Sequence, residues 1–244
     1  MHLPKPLAAA IVAVAAVFAA LPARAAGPAD DLYLMVRYVY GGGSEIDAFL
    51  FRQGQVVRGP SGSIDRFDFA AARANSPSRV GSYALRGDRM AVTWADGHVA
   101  DGQYEQKPND PCFWWDTGSF CPITPFARGQ RLSGTFAGGT DAYTVTGAKL
   151  SRDMELTLAA DGRYALTGQA AILPGSMGPN RPSMPGAAAA GTETGTYEID
   201  GTALALRPAA GTARVAMVFP YDDGTAGPAP RRLYFDGALL THRN

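Results

Sequence analysis

Two stretches decide the fold: Gly81-Ser82-Tyr83-Ala84-Leu85-Arg86-Gly87-Asp88-Arg89-Met90-Ala91-Val92 and Gly195-Thr196-Tyr197-Glu198-Ile199-Asp200-Gly201-Thr202-Ala203-Leu204-Ala205-Leu206. Both follow one pattern: glycine, any residue, tyrosine, three residues, glycine, then two apolar residues at alternate positions. A tyrosine-bearing strand runs into a tight turn at Gly87 beside Asp88, or at Gly201 beside Asp200. The chain returns with Met90 and Val92, or Leu204 and Leu206, on one face. Period-two alternation on both sides of a glycine turn predicts a β-hairpin with one buried face. Tyr83 and Tyr197 are expected in the core or in cross-strand pairs, because aromatic rings pack well on paired strands.

The echo extends outward from these hairpins. Phe49-Leu50-Phe51, a turn at Gly54 and Val56 precede the first; Leu156-Thr157-Leu158, a turn at Asp161-Gly162 and Tyr164 precede the second. Tyr40-Gly41-Gly42 has a counterpart in Phe136-Ala137-Gly138-Gly139. After the hairpins, Phe113-Trp114-Trp115-Asp116 matches Leu233-Tyr234-Phe235-Asp236. Four landmarks in one order predict an internal repeat of a single β unit; two copies are too few for a solenoid. The fold class expected is all-β: two tandem related antiparallel units, small barrels or sandwiches, separate or fused. Their expected bounds are 26–128 and 129–244.

Composition agrees. The chain has 244 residues, of which 46% are apolar and 18% charged, so it has material for a core. Its 29 glycines and 18 prolines disfavour long helices. Lys+Arg and Asp+Glu are both 22, a balance that argues against nucleic acid as partner. Residues 1–25 read as a signal peptide: His2 and Lys5, an apolar run from Leu7 to Leu21, then Pro22 and Ala23-Arg24-Ala25. The run is short for a membrane anchor. The protein is therefore expected to be exported, periplasmic or secreted, with no membrane span after cleavage. The only cysteines, Cys112 and Cys121, flank an aromatic hairpin turning at Asp116-Thr117-Gly118, so a disulfide between them is expected in an oxidising compartment.

Three stretches interrupt the β rhythm. Residues 65–75, ending Asn75-Ser76-Pro77, read as a short helix over a sheet edge or barrel mouth. Residues 169–193, rich in Pro, Gly and Ala, read as a long inserted loop, and 222–230 as a looser connection.

The leader, Asp161-Gly162-Arg163-Tyr164 and the two glycine-tyrosine motifs together resemble uncharacterised exported bacterial β-rich proteins, lipocalin-like or small antiparallel barrels in shape. The resemblance implies a barrel or sandwich and no defined activity. No lipocalin ligand residue carries over, since the Gly-x-Trp signature is absent.

Chemical signatures are sparse. Asp96, His98 and Asp101 form a turn-rich cluster whose spacing permits an acid–base or cation site, but two Asp-Gly steps read first as turns. His242 is expected on a solvated C-terminal end. No Gly-x-Ser-x-Gly, zinc-protease, phosphate-loop or dinucleotide motif is present; Gly41-Gly42-Gly43-Ser44 reads as a hairpin loop, and Asp30-Asp31 and Asp222-Asp223 as loop carboxylates. No metal and no cofactor are expected. Trp94, Trp114 and Trp115 are the candidate binding residues: adjacent Trp114 and Trp115 on a strand must face opposite ways, and a ring in a pocket or on the surface could stack on a sugar or an apolar ligand. The function expected is a non-catalytic exported module, monomeric, binding a small molecule or an envelope component. The alternatives are a protein-interaction or inhibitor module, and a hydrolase with dispersed catalytic residues.

Overall fold

The structure, a computed structural model, describes residues 27–39, 43–143, 149–173, 187–221 and 228–243. The expected leader, residues 1–25, lies outside them. The first eight strands are β1 (Asp31–Val39), β2 (Gly43–Arg52), β3 (Gln55–Arg58), β4 (Val80–Arg86), β5 (Arg89–Trp94), β6 (Val99–Glu105), β7 (Phe113–Trp115) and β8 (Gly118–Pro122). Each pairs antiparallel with the next, and β8 returns to β1, closing a barrel. A second closed barrel follows: β9 (Gly134–Tyr143), β10 (Lys149–Leu158), β11 (Arg163–Leu173), β12 (Ala187–Asp200), β13 (Ala203–Pro208), β14 (Arg214–Pro220), β15 (Arg232–Phe235) and β16 (Ala238–Arg243), with β16 paired to β9. The protein is two tandem eight-stranded antiparallel barrels. They are not fused into one.

The two glycine-tyrosine hairpins occupy the same place in each barrel. Tyr83 pairs with Val92 between β4 and β5, and Tyr197 with Leu206 between β12 and β13. Gly87 and Gly201 form the turns with φ of 65° and 64°, the left-handed region that favours glycine. Gly81 and Gly195 also correspond: a Cβ on either would collide with a carbonyl of the paired strand, Thr93 O or Arg207 O. The backbone N–H of Tyr83 donates to Gly54 O, and that of Tyr197 to Gly162 O.

One landmark fails. Phe136 corresponds to Tyr33, because Tyr33 pairs with Phe49 as Phe136 pairs with Leu156. Gly138 and Gly139 therefore stand opposite Met35 and Val36 of the first copy, and Tyr40-Gly41-Gly42 lies outside the described residues. Double glycines recur for local reasons, so they made a poor register mark.

The reading of residues 169–193 as one loop needs correction at both ends. Gln169 pairs with Ala190 and Ile172 with Ala187, so the stretch includes the end of β11 and the start of β12. Alanine and glycine carry no alternation to read, yet their backbones pair like any other. Residues 174–186 lie outside the described set, as do 222–227.

The short helix, α1 (Phe69–Asn75), starts later than residue 65 because Asp68 caps it, its carboxylate accepting the N–H groups of Ala70 and Ala71. Its segment bears on the seam between the barrels. Outward-facing Leu32, Ala48, Leu50, Val57 and Val80 of the first barrel pack with outward-facing Met217, Phe219 and Tyr234 of the second, flanked by Phe67, Phe69 and Ala72. The linker belongs to the second barrel: Phe126 and Leu132 lie in its core, and Gly129 N–H donates to Ile199 O. The Tyr197 hydroxyl donates to Leu132 O and accepts from Leu132 N–H, tying that plug in place. At the equivalent end of the first barrel, Gly27 lies against Tyr83 and Leu85, and Asp30 accepts Gln53 N–H.

Candidate functional site

The opposite end of the first barrel holds a cavity of about 300 Å³. Strand alternation builds its floor. Met35 on β1, Phe49 on β2, Trp94 on β5, Trp115 on β7 and Phe120 on β8 all point inward. Beneath them the rings pack on one another, Phe113 stacked on Phe120 at 4.8 Å and Phe49 edge-on to Phe120 at 5.2 Å. Trp115 is oriented by its indole N–H, which donates to Met90 O at 2.9 Å. Trp94 is 8% exposed, and its indole N–H has no hydrogen-bond partner among the described residues.

One wall is ionic. The same alternation that turns Phe49 and Phe51 inward turns Asp47 and Glu45 inward, and brings in Arg37 from β1 and Arg58 from β3. Arg37 donates from Nε and Nη2 to Glu45 Oε2 and from Nη1 to Asp116 Oδ2. Arg58 donates from Nη2 to Glu45 Oε1 at 2.5 Å and from Nε to Asp47 Oδ2 at 2.7 Å. Burial raises the Glu45 carboxyl, but the hydrogen bonds and charges of Arg37 and Arg58 outweigh it and hold it below the usual range. Burial likewise disfavours the Arg58 cation, and Asp47 and Glu45 more than reverse that. Ser78, Asp96, His98 and Asp116 complete the rim.

Comparison with known protein families, curated proteins and solved structures finds no match for this chain. The chain's own second copy offers the comparison. By strand register, Arg37, Glu45, Asp47 and Arg58 correspond to Thr140, Arg152, Met154 and Leu166, and Trp94 and Trp115 to Pro208 and Phe235. The second barrel fills its interior with Phe136, Met154, Leu156, Tyr164 and Leu206, among others. Among the described residues its one inward ion pair there is Arg214 with Glu193, which also accepts the Tyr164 hydroxyl. Burial first, then Glu193, pushes that hydroxyl up to about 12.

The tryptophans separate as strand geometry requires. Trp94 and Trp115 line the cavity, whereas Trp114 points out and is 50% exposed. Cys112 and Cys121 are bridged, with Cα atoms 4.2 Å apart. Asp96, His98 and Asp101 do not converge: Asp96 accepts the His98 backbone N–H in a turn, and Asp101 pairs with Arg89. His98 still lines the cavity beside Ser78, but no hydrogen bond joins its ring to Ser78 or to a carboxylate among the described residues. His242 is not on a solvated end. It pairs with Phe136 and packs edge-on to that ring at 5.1 Å, because β16 must run to its last turn to close the barrel. No group of three or more metal-ligating side chains occurs among the described residues. The sequence reading missed Arg37, Glu45, Asp47 and Arg58. Their signal was present: charges at alternate positions in phase with Phe49 and Phe51.

Proposed function

We propose that the protein is an exported, non-catalytic binding module whose first barrel takes a small molecule at its open end while the second barrel serves as scaffold. The observation that carries this reading is the contrast between copies. One barrel keeps an aromatic-floored cavity lined by Arg37 and Arg58, which Glu45 and Asp47 bind; the other has Met154 and Leu166 at the positions of Asp47 and Arg58. Inward charges cost desolvation energy, and apolar replacements are often neutral or better for stability. Their retention at a cavity is what a binding site needs, and the cavity's size and mixed lining suit a small ligand. Export is supported by residues 1–25 and by the Cys112–Cys121 bridge, which suits an oxidising compartment. Apolar side chains fill both interiors, the reverse of a transmembrane barrel's lipid-facing pattern.

The test is a fragment screen on the full chain read by indole N–H resonances. Small aromatic and aliphatic fragments are expected to shift the Trp94 and Trp115 signals and leave Trp114 in place. Binders that move only Trp114, or none at all, would remove the pocket reading. The hydrolase alternative draws on Ser78 and His98 sharing the rim; it requires ester turnover that His98→Ala abolishes.

A further inference from the structure

Resting on that pocket, we propose that its ligand is a small organic cation, an ammonium or quaternary ammonium group carrying an apolar body. The charge count is the first argument. The charged residues lining the cavity are Arg37, Arg58, Asp96 and Asp116, and Glu45 and Asp47 bind the two guanidiniums from the barrel wall. Both guanidiniums are already engaged by carboxylates, three of the four acids serving them. Arg79 sits outside the cavity over Gly59, near Asp47, and even with it the acids remain in excess. An anion would have to displace Glu45 or Asp116 from Arg37 and would leave a carboxylate unpaired in a half-buried wall. A cation meets Asp96, the lining carboxylate that enters no ion pair among the described residues.

The floor is the second argument, independent of the first. Trp94, Trp115, Phe49 and Phe120 present π-systems at the base of the cavity. Aromatic faces attract cations through the ring quadrupole, tryptophan most strongly, and rings grouped in a cage are the recurrent means of holding quaternary ammonium. Acid rim and aromatic floor therefore select the same ligand charge.

Three probes of matched shape decide the matter: phenyltrimethylammonium, tert-butylbenzene and benzenesulfonate, each titrated into the full chain with the Trp94 and Trp115 indole signals as readout. The cation is expected to bind at least tenfold more tightly than either of the others. Asp96→Asn and Asp116→Asn, singly and together, are expected to weaken the cation about fivefold or more and to leave tert-butylbenzene unchanged. Asparagine keeps the acceptor that holds the His98 turn and tolerates the left-handed backbone of Asp116, at φ 45°, so the fold is retained. Equal or tighter binding of the neutral or anionic probe would overturn the cation assignment and leave the pocket standing. Failure of all three to shift either indole would overturn both.

Discussion

Glu45 is the residue on which the first barrel's mouth turns. It accepts from two arginines on neighbouring strands, and its side chain is 27% exposed. Replacing it with alanine leaves Arg37 and Arg58 short of a partner in a half-buried wall. The expected loss is about 2–3 kcal/mol, below the figure for a fully buried pair because solvent reaches this one. Its lowered carboxyl also sets a pH dependence. A group whose folded value lies below its unfolded value contributes stability above the unfolded value and loses it as pH falls through the folded one. Stability should therefore fall below about pH 4.5, the ordinary glutamate region, and part of that fall should be missing in Glu45→Gln. Urea midpoints measured from pH 7 down to pH 3 on both proteins check this; parallel pH curves would contradict it. Gly87 and Gly201 are a second case. A Cβ at Gly87 meets nothing within 4 Å, and at Gly201 only Pro125 at 3.9 Å, so only backbone conformation opposes a side chain. Each Gly→Ala is expected to cost about 1 kcal/mol, with Asn costing less, by thermal denaturation.

Among the elements, the hairpin of β7 and β8 is the one built from a covalent bond outward. Phe113 pairs with Phe120, so Cys112 and Cys121 stand opposite each other one step further along the ladder. The loop they close is short and gains about 2–3 kcal/mol in the chain-entropy account. The same hairpin carries Trp115 into the cavity and Phe120 into its floor, so reduction should act on the site as well as on stability. Peptide mapping of non-reduced protein expressed in a bacterial periplasm should recover a Cys112–Cys121 cross-link, and two freely alkylated thiols would refute it. Reduction should also broaden the Trp115 indole signal before the barrel melts. In the second barrel, β11 and β12 show how an element escapes detection. Ala170-Ala171 and Ala187-Ala188-Ala189-Ala190 offer no side-chain contrast, so period-two reading has nothing to act on.

At the scale of the molecule, the seam between barrels couples two units that each have a core of their own. Strands β2, β14 and β15 are buried on both faces there, inside against a barrel core and outside against the other barrel. All three tryptophans belong to the first barrel, so their fluorescence reports its unfolding alone. Phe219→Ala, a truncation on the outer face of the second barrel, is expected to cost about 3 kcal/mol and to lower the tryptophan-detected midpoint. An unmoved midpoint would mean that the barrels unfold independently.

The sequence alone determined the class of fold, the tandem copies and the disulfide. Each depends on local rules: period-two alternation, glycine at a left-handed turn, and two cysteines equidistant from that turn. That Trp114 and Trp115 face opposite ways follows from the same alternation, but which of them enters the barrel does not. Only the tertiary structure decided that each unit closes as a barrel, which copy holds the aromatic-floored cavity, and which faces meet at the seam. Closure depends on β1 finding β8 and β9 finding β16, contacts that no local pattern encodes. The runs Ala48-Phe49-Leu50-Phe51 and Val215-Ala216-Met217-Val218-Phe219 signal burial on both faces, but not against what. The site's charged wall likewise needs three strands to bring Arg37, Glu45, Asp47 and Arg58 within hydrogen-bond reach, and that distance exists only once the barrel has closed.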